Sequence, residues 1–274
     1  MKKVVLTCLL FITAMEMVAQ QKIELWPEKV PGMENLKEAP VLDTTSEQGV
    51  VRITQVTNPT LEVYEPQGEG NGAGVVVCPG GGYGILAYDK EGTDIAEWLA
   101  KQGFTAYVLA YRVPRQREGA LQDIQRAIRL VRQDKKQLQK IGVIGFSAGG
   151  SLSARAATRF NETTYPKVDA ADELSCRPDF ALLIYPAYLD EGANKTLTPE
   201  LTITEQTPPM FLFATSDDFH ANSALVMAQA LREHKIPAEL HVMAKGGHGY
   251  GMRSGAGLQW PIWAEAWLKE VVKK

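Results

Sequence analysis

The chain predicts a doubly wound α/β fold, a mostly parallel sheet with helices on both faces and a short cap segment. Two patterns carry that expectation. First, apolar runs at 74–78, 105–110, 141–145, 180–185, 210–214 and 238–243 are continuous rather than alternating, as strands buried on both faces require. Second, the segments between them repeat apolar residues at helical spacing: Ile95, Trp98 and Leu99; Leu121, Ile124, Ile128 and Val131; Leu225, Ala228 and Leu231; then Trp263, Trp267 and Val271 after Pro261. Strand and helix in strict alternation wind into a parallel sheet.

The elements before this alternation differ. Residues 1–19 predict a secretory signal: Lys2 and Lys3, an apolar run from Val4 to Met15, and a small-residue cut after Ala19. The mature chain, 20–274, is then expected to be exported, to the periplasm or beyond. Residues 23–43 are rich in Pro and Glu and predict an extended arm. Residues 50–56 and 60–64 alternate as strands about a turn at Asn58-Pro59, and 67–74 is a Gly-rich loop. The segment between Pro186 and Pro209 is polar, and is the one place for a cap.

Composition excludes several classes. The 274 residues suit one α/β domain, and a net charge of −3 without a basic stripe argues against a nucleic-acid partner. No apolar run reaches the roughly 18 residues of a membrane span. Once the leader carrying Cys8 is removed, Cys78 and Cys176 remain. Two thiols form no disulfide framework, though a single bridge between them stays open, and their spacing suits no metal. No cofactor is expected, and the oligomeric state is undetermined.

The chemistry is concentrated at Gly145-Phe146-Ser147-Ala148-Gly149-Gly150. It follows an apolar strand and opens a helix, the setting in which G-x-S-x-G forms the nucleophile elbow of the α/β-hydrolase fold. Ser147 is the candidate nucleophile. The strand at 74–78 ends in Pro79-Gly80-Gly81-Gly82-Tyr83, where this fold supplies one oxyanion donor while the residue after the nucleophile supplies another. Gly81, Gly82 and Ala148 are therefore expected to form an oxyanion hole. A phosphate loop is excluded, because neither G-x-x-x-x-G-K-[ST] nor G-x-G-x-x-G is present.

The strand at 210–214 runs into Thr215-Ser216-Asp217-Asp218. Asp217, nearest the strand end, is expected to orient the catalytic imidazole, with Asp218 as the alternative. Of the four histidines, His248 alone stands in a loop after the last strand, flanked by Gly246, Gly247, Gly249 and Gly251. His241 lies within a strand, His234 near a helix end, and His220 beside the acid loop. The order Ser147, Asp217, His248 is that of α/β-hydrolases. Tyr83, Tyr188 and Tyr250 are candidate platforms for a sugar ring.

Much of the mature chain resembles the acetylxylan/feruloyl esterase-like α/β-hydrolases, often labelled xylanases. The resemblance rests on Cys78 to Tyr83, Glu91-Gly92, Tyr111-Arg112, Gly145 to Gly150, Glu239-Leu240-His241 and Gly246 to Gly251. Ser151 departs from the pattern, standing where these proteins usually carry His, and the loop after Asp218 is a few residues short. The resemblance implies a serine carboxylic-ester hydrolase acting on acetylated or feruloylated xylan fragments. Two rivals stay open: a peptidase using the same three side chains, and a non-catalytic carbohydrate-binding relic. A glycosidase would need paired carboxylates flanking one bond, for which only Asp217-Asp218 offers material.

Overall fold

Six strands too apolar to face water on either side must lie at the centre of the molecule. The computed structural model, which describes residues 20–33, 37–46, 49–134 and 138–273, places five of them there, whereas the sixth, 238–243, is corrected to a partly exposed strand at the sheet edge. The predicted leader lies outside the described residues. Among these residues, β1 (Lys22–Glu24), β4 (Thr60–Tyr64), β5 (Ala73–Cys78), β7 (Thr105–Ala110), β8 (Lys140–Phe146), β9 (Phe180–Ile184), β10 (Met210–Thr215) and β11 (Ala238–Met243) form one sheet. Their spatial order is β1-β4-β7-β5-β8-β9-β10-β11. The six strands from β7 to β11 are parallel, while β4 pairs antiparallel with β7 and with β1.

The period of two along each strand divides the core into two layers. Val75, Val77 and Phe146 face α1 (Asp94–Lys101) and α5 (Trp260–Lys273), burying Ile95, Leu99, Trp260 and Leu268. Val76, Val143 and Leu183 face α2 (Arg117–Gln133), α3 (Ala148–Thr158) and α4 (Ala221–Glu233), burying Leu121, Leu152 and Leu231. The chain leaves β5 for β7 on one side and returns to β8 on the other. That reversal is a topological switch point, and the crevice beyond the strand ends there is where open α/β sheets bind ligands.

Two expectations for the N-terminal region are corrected. Residues 50–56 and 60–64 do not pair with one another across Asn58-Pro59. Instead β3 (Arg52–Gln55) joins β2 (Val41–Asp43) and β6 (Leu86–Ala87) in a separate three-stranded sheet, while β4 enters the main sheet. Residues 23–43 are not a bare arm either. They include β1 and β2, and Trp26 is fully buried with its indole N–H donating to Asp123 at 2.8 Å. Asp123 also takes the Arg112 guanidinium at 2.9 Å. A buried indole needs an acceptor, and this one ties the segment to α2.

The cap segment is short, as expected, but it is pinned to the body. Leu189, Leu201 and Ile203 enter the core, and Asp190 accepts from the Ser223 hydroxyl of α4 at 3.0 Å. Cys78 and Cys176 are free and buried. Burial pushes the Cys78 thiol up to about 12, so it stays protonated and inert.

Candidate active site

The turn from β8 into α3 exists only because two residues lack a Cβ. A Cβ on Gly145 would sit 2.0 Å from the Gly149 carbonyl oxygen, and one on Gly149 would sit 2.0 Å from the Cys78 carbonyl oxygen. Strand, helix and the end of β5 thus meet backbone to backbone. The turn forces Ser147 to φ 51° and ψ −117°, a conformation that costs a non-glycine residue about 1–3 kcal/mol and persists only where the surroundings impose it. Gly149→Ala is expected to destabilise the fold by about 3 kcal/mol, because the new Cβ would strike the backbone carbonyls of Cys78 and Pro79, which have little room to give. Gly150→Ala, whose Cβ would meet Pro186 at 3.0 Å, should cost less. Urea denaturation midpoints of the two variants check the difference.

The reward for the strain is position. Ser147 Oγ lies 2.7 Å from His248 Nε2, and His248 Nδ1 lies 2.7 Å from Asp218 Oδ2. A carboxylate only accepts, so Nδ1 must carry the proton, which leaves Nε2 as the acceptor for the serine hydroxyl. The Asp218 side chain is completely buried, while His248 keeps about a fifth of its surface open. The second carboxylate oxygen of Asp218 accepts the His220 N–H at 2.8 Å.

This geometry corrects the choice of Asp217. Its carboxylate accepts the Gly246 and Gly247 N–H groups at 3.2 and 2.9 Å. These bonds hold its pKa below the usual carboxylate range although the group is exposed. Asp217 therefore braces the backbone that leads into His248, and Asp218 meets the imidazole. The reason is local. The Asp218 N–H donates to the Thr215 carbonyl, so the chain turns as it leaves β10, and the turn swings the second aspartate inward.

The glycine loop lies against the nucleophile. A Cβ on Gly80 would meet Ser147 Cβ at 2.9 Å. The Gly81 carbonyl accepts the N–H groups of Gly84 and Ile85, closing a tight turn in which Gly81 and Gly82 adopt φ 135° and 64°. Ala148 begins α3, and the first N–H groups of a helix have no partner within it. The loop backbone and the helix start thus flank Ser147, which suits them to an oxyanion.

Two of the three tyrosine platforms are corrected, because the fold spends them on packing. Tyr83 is 3% exposed, and Tyr250, 7% exposed, packs on Tyr185 with ring centroids 4.4 Å apart. Tyr188 keeps partial exposure, with the Arg117 guanidinium 4.6 Å over its ring and His220 5.3 Å away. The exposed aromatic at the mouth is Phe219. It is 81% exposed, 4.0 Å from the His220 ring and 5.6 Å from the His248 ring. Sequence reasoning missed it, although a large apolar residue directly after the paired aspartates was a usable signal. Burial, with the nearby charge of His248, pushes the His220 pKa below its ordinary value, so this ring stays neutral beside the site. His241 stacks on Trp263 at 4.7 Å, and His234 caps α4 through the Ala230 carbonyl. Neither is drawn into the site. Among the described residues no group of His, Cys, Asp and Glu is placed to hold a metal ion, and no helix is long and apolar enough to cross a membrane.

Comparison with known proteins follows the same lines. The BD-FAE family model matches residues 61–180. The chain is 31% identical over 205 residues to endo-1,4-beta-xylanase B of Butyrivibrio fibrisolvens, covering 64% of this chain and 32% of that one. It is 28% identical over 211 residues to an acetylxylan esterase of Xylanibacter ruminicola, covering 66% and 42%. The chain thus spans about a third to two fifths of the length of these curated relatives. Among solved structures, the acetyl ester-xyloside bifunctional hydrolase of Caldicellulosiruptor lactoaceticus superposes with a TM-score of 0.71 at 31% identity, covering 92% of this chain and 96% of the other. With this fold and near-full-length likeness, the chain belongs to the acetylxylan/feruloyl esterase-like group of α/β-hydrolases.

Proposed function

We propose that the protein is an exported serine esterase that removes acetyl or feruloyl groups from carbohydrate esters such as xylan fragments, through an acyl-enzyme. The observation that carries this reading is the unbroken chain from Ser147 Oγ through both nitrogens of His248 to Asp218, at 2.7 Å for each link. His248 takes the serine proton as Oγ attacks the ester carbonyl. The Gly81, Gly82 and Ala148 N–H groups receive the oxyanion, and Asp218 steadies the imidazolium. His248 then gives the proton to the departing alcohol oxygen. Water enters on the same side and the sequence repeats, releasing the acid and free Ser147. Export rests on the charged and apolar pattern of residues 2–19.

The leaving alcohol must depart beside His248, since that ring protonates it. Phe219, exposed and close to the same ring, offers the departing group an apolar face, which suits the C–H face of a pyranose. The cap turns Leu189, Leu201 and Ile203 into the core, and its polar sequence carries no long apolar face to close as a greasy lid. A short acyl group on a polar alcohol fits such a site. The acetylxylan esterase and acetyl ester-xyloside hydrolase among the relatives support the same substrate class.

Acetate release from acetylated xylo-oligosaccharide, measured beside hydrolysis of p-nitrophenyl acetate and octanoate, tests the reading. Expected is release from the oligosaccharide and preference for acetate over octanoate. Phe219→Ala should raise KM for the oligosaccharide by about tenfold, equivalent to about 1.4 kcal/mol of lost contact, with kcat little changed. A preference for octanoate without release from the oligosaccharide would replace this reading with a lipid esterase.

A further inference from the structure

Glu91 takes no part in the steps above, yet it is a carboxylate 3% exposed beneath the active site. It sits in a π-helical turn, Asp89–Thr93, that follows β6. Such turns carry one residue more than the α-helical pattern and are frequent at functional sites. Glu91 Oε2 accepts the Gly80 N–H at 2.8 Å, and Oε1 accepts the Tyr185 hydroxyl at 2.7 Å. The Tyr185 oxygen in turn accepts the Gly251 N–H at 2.9 Å.

These bonds reach two loops from one group. The Gly80 N–H belongs to the same peptide unit as the Pro79 carbonyl, which accepts the Tyr111 hydroxyl at 2.6 Å. The peptide that leads into Gly81 and Gly82 is therefore clamped at both its oxygen and its nitrogen. On the other side, Gly251 ends the loop that carries His248, and the Tyr185 ring lies edge-on to the His248 ring at 5.1 Å. The same turn also grips the histidine loop from outside. Arg253 donates to Asp89 and to Asp94, both at 2.8 Å, and a Cβ on Gly251 would strike Lys90.

The Gly80 N–H and the Tyr185 hydroxyl donate to Glu91, one to each oxygen, while the Tyr185 oxygen also accepts from Gly251. An amide, with a single oxygen, cannot accept at both positions. Burial raises the Glu91 pKa above the ordinary carboxylate value, and the two donated bonds offset that only in part. Fixing a buried carboxylate here is costly unless every bond is made, and both are.

We propose that Glu91 is a positioning residue for acyl transfer, holding the oxyanion loop through Gly80 and the histidine loop through Tyr185 so that one buried carboxylate sets their relative placement. The inference rests on Ser147 being the nucleophile. Displacing a catalytic group by about 1 Å costs on the order of 10²-fold in rate, and that is the loss expected when the clamp is released.

The test uses Glu91→Gln, Tyr185→Phe and the double variant, with p-nitrophenyl acetate as substrate. Active-site concentration comes from titrating Ser147 with a fluorophosphonate, so misfolded protein is not counted. An amide in place of Glu91 turns an N–H toward one of the two donors. Expected for Glu91→Gln is a fall in kcat per titrated site of about 10²-fold, with KM within about threefold. Tyr185→Phe should lose about tenfold in kcat, and the double variant should be no worse than Glu91→Gln, as for residues acting as one unit. Inhibition by a boronic acid, whose tetrahedral adduct occupies the oxyanion hole, should weaken in step with kcat/KM. A purely structural role would leave that inhibition constant per site unchanged. Wild-type kcat per site in Glu91→Gln, a loss confined to KM, or additive losses in the double variant would overturn the proposal. If Glu91→Gln does not fold, Tyr185→Phe decides, and unchanged kcat there overturns it. A wild type that neither turns over ester nor accepts the fluorophosphonate would remove Ser147 as nucleophile instead, a result distinct from full activity in Glu91→Gln.

Discussion

Ser147→Ala is expected to lower kcat on p-nitrophenyl acetate by on the order of 10⁶, the loss typical of removing a nucleophile from such a unit. Nothing else near the site replaces it. Ser151 and Ser153 are buried within α3, all of which is buried, and the hydroxyl beside the imidazole belongs to Ser147. The fold should survive. The elbow is imposed by glycines at 145 and 149 and by the backbone they admit, not by the serine hydroxyl, and alanine relieves none of the strain at φ 51°. A fluorophosphonate should label the wild type at Ser147 and leave the variant unlabelled, with an unchanged denaturation midpoint. Labelling at Ser151 or Ser153 would reject Ser147.

Asp218→Asn should cost about 10⁴ in kcat, because an amide donates where the imidazole needs an acceptor and so selects the wrong tautomer. Asp217→Asn is the control that gives this number meaning. Its carboxylate accepts two backbone N–H groups at the surface, and an asparagine carbonyl can still accept. A change of no more than about tenfold is expected there. The two variants differ by one position in sequence and by about three orders of magnitude in expected effect. Steady-state kinetics on both, at equal titrated site concentration, decide between the neighbouring aspartates. A crippled Asp217→Asn with an active Asp218→Asn would mean that the imidazole takes the other partner in solution.

How much of the site was legible depended on whether its signal was local. The elbow is a local object. Gly145, Ser147 and Gly149 lie within one turn of chain, and the same few residues that spell the motif also make the clash-free approach. His248 was legible for a similar reason, since a histidine ringed by glycines after the last strand has little to do in a core. The acid was legible only to within one residue. Position relative to the strand end favoured Asp217, but which of two adjacent side chains points inward depends on the turn that the Asp218 N–H makes to Thr215. In such a turn adjacent side chains point in different directions, so an error of one residue exchanges the buried group for the exposed one.

The aromatic residues show the same limit in another form. Tyr83, Tyr188 and Tyr250 were equivalent as letters. The fold buries Tyr83 and Tyr250 within the clusters around Tyr111 and Tyr185, and leaves Phe219 in water next to His248. Exposure is a property of what packs on top, and nothing in a neighbouring sequence position reports it. Glu91 is the extreme case. It stood beside Gly92 as an unexplained part of the family resemblance, because its partners Gly80, Tyr185 and, through Tyr185, Gly251 come from three different segments.

By itself, then, the sequence determined the parallel α/β architecture, the elbow and the identities of Ser147 and His248 as chemical candidates, since strand burial, helix periodicity and glycine spacing are all short-range patterns. The tertiary structure alone decided that Asp218 rather than Asp217 meets His248, that β3 and β4 enter different sheets, and that one buried carboxylate joins the two loops flanking Ser147. Each of those outcomes depends on contacts between segments far apart in the chain, where distance and direction are set by packing and not by any spacing in the sequence.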